Sequence, residues 1–78
     1  MFYIVEHDMK VHQIIDTKGK ANKYGKAKLF DTAGDALKWL SRYHKDSPIA
    51  VGSSIYGFYS NLVYEIKEAT PEDIARWR

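Results

Sequence analysis

Seventy-eight residues, 45 % apolar and 14 % aromatic, suffice for one domain over 1–78 with a single core, and a chain this short buries only about 60 % of the surface it exposes when unfolded. It contains no cysteine, which excludes disulfides and thiolate metal ligands and fits a reducing, cytoplasmic setting; no apolar run approaches the roughly 20 residues that span a bilayer. The net charge of +2 is unevenly spread, with six lysines against Glu6, Asp8 and Asp16 up to Phe30, and six basic against seven acidic residues from Asp31 onward.

The chain opens on Met1-Phe2-Tyr3-Ile4-Val5-Glu6, which lacks the basic start and long apolar stretch of a signal peptide and reads as a strand. Phe2 to His7 alternates and is rich in β-branched and aromatic side chains, and Val11 to Ile15 repeats the pattern. A tight turn at Met9-Lys10 makes these a hairpin in which Asp8 faces Val11, His7 faces His12, Val5 meets Ile14 and Ile4 meets Ile15. Both faces of that hairpin are apolar, a pattern of central strands, of strands covered twice, or of interfaces. Next comes a basic loop, Lys18-Gly19-Lys20-Ala21-Asn22-Lys23-Tyr24-Gly25-Lys26-Ala27-Lys28. Ala27 to Phe30 then suits a short third strand.

A helix follows, capped by Asp31 or Thr32, with Asp35 three residues after Thr32 in a capping-box arrangement. Its apolar stripe runs through Ala33, Leu37, Leu40 and His44, with Ala36 and Tyr43 beside it. The helix ends before Ser47-Pro48. Ile49 to Val51 is a short apolar run, and Ile55 to Tyr59 with Leu62 to Lys67 reads as a second hairpin around Ser60-Asn61. Thr70-Pro71-Glu72-Asp73 is a helix start: a cap, a proline at the first helical position and acids in the first turn. The expected fold is α+β: an antiparallel sheet of four to five strands, one main helix packed on it and a short C-terminal helix, in the order β-β-β-α-β-β-α. The expected core is Ile4, Val5, Ile14, Leu29, Leu37, Leu40, Val51, Ile55, Leu62, Ile66 and Ile74.

The components of catalysis are missing. There is no cysteine nucleophile, no Gly-x-Ser-x-Gly elbow and no Walker-type glycine loop, and Glu72 and Asp73 are explained by the helix start. The expectation is a protein that is not an enzyme and has no cofactor. His7 and His12, side by side near Glu6 and Asp8, carry elements of a divalent metal site. Spacing fixes no third ligand, so no metal is expected.

Binding is the function class left. Lys18, Lys20, Lys23, Lys26 and Lys28, with Tyr24 to stack on a base, can grip phosphates or an acidic protein surface, although an ordinary solvated loop has the same composition. Because the loop has no arginine, nucleic-acid binding through it is expected to be salt-sensitive and not sequence-specific. The aromatics are too many for so small a core, and exposed tyrosines favour a protein interface. Tyr56 and Phe58, on one face of the second hairpin with Val63, join the loop as expected partner-binding residues. The expected partner is a host protein or protein–nucleic acid complex, with nucleic acid through the lysines as the alternative. A homodimer, suggested by the two-sided hairpin, is a further alternative.

Phe30-Asp31-Thr32-Ala33-Gly34-Asp35-Ala36-Leu37-Lys38-Trp39-Leu40 is similar to the point where a three-stranded sheet runs into its helix in the arm-binding domains of phage integrases, which also carry a basic hairpin before it. That likeness is one of layout and covers residues 1–45. As a whole the chain resembles, in kind, the small proteins that phages direct against their hosts, such as anti-CRISPR proteins and inhibitors of host RNA polymerase. The resemblance implies a non-enzymatic inhibitor that occupies the surface of a host macromolecular complex; it transfers no site residue.

Overall fold

The computed structural model describes residues 1–8, 11–43, 49–51 and 62–78. The fold is α+β. Among the described residues, five strands, β1 (Phe2–Asp8), β2 (Val11–Ile15), β3 (Ala21–Asn22), β4 (Ile49–Val51) and β5 (Leu62–Glu68), accompany two helices, α1 (Ala33–Tyr43) and α2 (Pro71–Trp77). The sheet order is β3-β2-β1-β5-β4. β3, β2, β1 and β5 each run antiparallel to their neighbours in that order, and short β4 joins the edge parallel to β5.

The first hairpin has the expected register, with Val5 opposite Ile14, His7 opposite His12 and Asp8 opposite Val11. β1 is flanked by β2 on one side and by β5 on the other, where Ile4 lies opposite Ile66 and Glu6 opposite Tyr64. Its two-sided apolar character therefore follows from a central position within one chain. Ile4 and Val5, which point to opposite faces, are both buried. The observation that suggested a homodimer is thus explained without a second copy.

The third strand is not where the sequence places it. β3 is Ala21–Asn22, paired with Ile15 and Ile14. Ala27 to Phe30 instead makes isolated bridges to two different strands. Ala27 bridges Asp16, and Lys28 N–H donates to the Ile15 carbonyl at 2.9 Å; Phe30 bridges Phe2 through two reciprocal bonds of 2.8 Å. The segment thus passes from the end of β2 to the start of β1, and pairs with neither for long enough to be a strand. The expected strand Ile55 to Tyr59 lies outside the described residues, as do Tyr56 and Phe58.

The core lies between the sheet and α1, formed by Ile4, Ile15, Ala36, Leu40, Tyr64 and Ile66, with Phe2, Phe30, Ala33 and Trp39 packed around it. Burying each of the larger aliphatic side chains contributes about 1.5–3 kcal/mol. α1 begins as expected, with the Thr32 hydroxyl accepting the Asp35 N–H at 3.1 Å. Its phase differs: Ala36 is fully buried and Leu37 is 39 % exposed. The small Ala36 sits in the same cluster as the bulky Tyr64. Leu37 is therefore removed from the core, and Ile15, Ala36, Val63 and Tyr64 enter it. Ile14, Leu29 and Ile74 are half-buried rather than core. Ile55, and the side chains of Val51 and Leu62, lie outside the described part.

α2 is closed by a full capping box. The Thr70 hydroxyl accepts the Asp73 N–H at 3.1 Å, and the Asp73 carboxylate accepts the Thr70 N–H at 3.2 Å. This helix reaches the sheet face opposite α1, where Trp77 meets Tyr3 edge to face at a centroid distance of 4.8 Å. No described helix is long and apolar enough to cross a membrane.

Candidate functional site: a basic, aromatic cleft

The lysine-rich segment is organised by one carboxylate. Asp16 Oδ1 accepts the backbone N–H of Lys18 at 2.9 Å and of Lys20 at 3.1 Å, while its Oδ2 accepts from the Asn22 side-chain amide at 3.3 Å. These bonds favour the charged form and hold the Asp16 carboxyl below its ordinary value, the Lys20 N–H contributing most. Asn22 passes the order on, its Oδ1 accepting the Tyr24 N–H at 3.0 Å. Two glycines supply conformations that other residues rarely adopt, Gly19 with φ +80° and Gly25 with φ +121°. At Gly19 a Cβ would also come within 3.0 Å of the Trp39 ring.

This geometry divides the expected lysine grip. Gly19, between Lys18 and Lys20, packs toward Trp39 on the α1 side of the sheet. Lys28 is half-buried and its Nζ lies 5.8 Å from the centre of the Phe30 ring, near the same core. Lys23 and Tyr24, by contrast, line a cleft of about 480 Å³ together with the sheet face opposite α1. From β1 come Tyr3 and Val5; from β2, His12, Gln13 and Ile14; from α2, Arg76 and Trp77. Lys26 stands near that rim, its Nζ donating to the Arg78 carbonyl at 3.1 Å. Tyr24 is 77 % exposed although its backbone is anchored by Asn22, so the ring is presented to solvent from a fixed position.

The Arg76 side chain and the Arg78 main chain thus arrive at the loop, a juxtaposition not visible in the sequence, where they stand some fifty positions away. The Arg76 guanidinium lies 4.9 Å from the Trp77 ring centre and pairs with Asp73 at 2.6 Å. That pairing orients Arg76 along α2 and offsets part of its charge. Tyr3 has its phenol held above the ordinary value, chiefly by burial. It is a neutral hydroxyl donor at any physiological pH.

His7 and His12 face one another through their Nδ1 atoms, as the register requires, and His7 Nε2 lies 3.0 Å from Glu65 Oε1. Among the described residues no group of three or more His, Cys, Asp or Glu side chains converges as a metal site would require. On the far side of the sheet, Tyr64 donates its hydroxyl to Glu6 Oε2 at 2.8 Å. Burial and that bond raise its phenol above the ordinary range.

A second, broader depression of about 800 Å³ runs along α1, lined by Phe30, Gly34, Leu37 and Trp39 with Asp35, Lys38 and Arg42. Its charges are of both signs. Both depressions bring rings together with cations, but the lining of the cleft on the opposite face includes no acidic residue. Of the residues expected to bind a partner, Lys23 and Tyr24 lie in that cleft, Lys26 is next to it, Lys18, Lys20 and Lys28 are apart, and Tyr56 and Phe58 are outside the described residues. The sequence reading missed Tyr3, His12, Arg76 and Trp77 as cleft residues. Comparison with family models, with curated proteins and with solved structures returned no match.

Proposed function

We propose that the protein is a non-enzymatic binding protein whose working face is the cleft formed by the lysine loop, the β1–β2 hairpin and α2, and that its partner is a nucleic acid. The observation that carries this reading is the arrival of Arg76 beside Lys23 and Tyr24 in one cleft, with Lys26 next to it. The loop itself has no arginine; the fold supplies one, Arg76, from the C-terminal helix. Lysines and arginines neutralise phosphates and release counterions, so binding falls steeply with salt.

The second reading is the inhibitor of phage or mobile-element type that occupies the surface of a host protein complex. It uses the same face and is favoured by the exposure of Tyr24, since tyrosine is a preferred contact residue at interfaces. Tagged protein is retrieved from host lysate with and without nuclease, at low and high salt. The nucleic-acid reading expects recovered nucleic acid, lost in high salt and diminished by changing Lys23, Lys26 and Arg76 to alanine. A single stoichiometric protein that survives both nuclease and salt establishes the second reading instead.

A further inference from the structure

Resting on the reading that this basic face is the binding face, we infer that the cleft is a site for unpaired nucleobases and that the protein selects single strands over duplexes. Three observations carry this. The recess of about 480 Å³ lies within the roughly 300–1,000 Å³ of small-ligand sites, which suits insertion of a flat group rather than a grip on a wide convex surface. Its wall combines aromatic rings with cations: Tyr3, Tyr24 and Trp77 stand beside Lys23 and Arg76. The most exposed of those rings, Tyr24, sits on a backbone fixed by Asn22, so stacking on it orders little that is not already ordered.

The ligand chemistry follows from that lining. A group that uses both parts of the wall is planar and aromatic, with a negative charge a short bond path away. A nucleotide has this composition. In a duplex the base faces are stacked inside and only phosphates and groove edges are offered; in a single strand the faces are free to lie on side-chain rings. Every base has such a face, so the site tolerates sequence.

The test measures affinity of the full chain for four probes at one low salt concentration: a single-stranded oligothymidylate, a strand of equal length and charge with its bases removed, a duplex of equal length, and inorganic polyphosphate. The expected result is about tenfold or greater preference for the base-bearing single strand over the abasic one, as base stacking on aromatic side chains gives. Tyr24→Ala is expected to remove roughly tenfold from the base-bearing strand and bring it toward the abasic one. Because Tyr24 is largely exposed, its thermal unfolding midpoint is expected to stay near that of the parent, which shows that fold is not the cause. Equal affinity for abasic and base-bearing strands, or tighter binding of the duplex, overturns the base site while leaving a basic binding face. Failure of all four probes to bind overturns that face as a polyanion site as well, and leaves a protein surface as the partner.

Discussion

Asp16 holds its loop with three accepted hydrogen bonds, and the direction of its pKa fixes how that order depends on pH. Its folded value lies below the ordinary carboxylate value of about 3.9. Between the two values the unfolded chain binds more protons, so stability rises with pH in that window. The contribution is therefore complete above the ordinary carboxylate value and is lost as pH falls through the lowered one. Asp16→Ala is expected to be less stable than the parent at neutral pH and to show a shallower acid loss, read from urea midpoints between pH 2 and 6. A parallel acid loss in both proteins would show that Asp16 does not organise the loop. Glycines give a second test with opposite signs. Gly19→Ala forces a left-handed residue against Trp39 and is expected to cost about 1–2 kcal/mol or more. Gly34→Ala, exposed on α1 with only an ordinary contact to Thr32, is expected to stabilise by about 0.5–1 kcal/mol.

At the scale of elements, the parts legible in the sequence are those set by local chemistry. The first hairpin follows from alternation and a short turn, and its register places His7 on His12 as read. The two helix starts follow from Thr32 and Thr70. Elements that depend on the neighbouring layer were harder to read. Ala27 to Phe30 has the apolar content of a strand, but its partners are the end of β2 and the start of β1 in turn, which local sequence does not encode. The phase of α1 was misread because Leu37 is the more hydrophobic choice whereas Ala36 is the better fit in a cluster that holds Tyr64. That correction is testable. Leu40→Ala is expected to cost about 2–5 kcal/mol, a large part of the roughly 4–12 kcal/mol available to a chain of this length. Leu37→Ala, on the exposed side, is expected to cost less than about 1 kcal/mol. Equal losses at both positions would restore the phase first read from the sequence.

The whole molecule separates two chemistries on the two faces of one sheet. The α1 side carries the core and absorbs Gly19, Phe30 and Trp39. The other side carries the cleft, with α2 and the lysine loop as its walls. The bias of charge toward the front half was plain in the sequence, and so was Tyr24 as a ring among lysines. The cleft itself was not, because its walls come from positions 3, 12, 23, 24, 76 and 77, which only the sheet order brings together. The proposed binding is therefore tied to one place, where the loop meets the C-terminal helix. The most direct test is to titrate the isotope-labelled protein with a short single-stranded oligonucleotide and follow its backbone amide resonances. Binding in the cleft predicts shifts concentrated at His12 to Ile14, Lys23 to Gly25 and Arg76 to Arg78, with Gly34 to Arg42 unchanged. Shifts confined to α1, or none at any ratio of strand to protein, would contradict it.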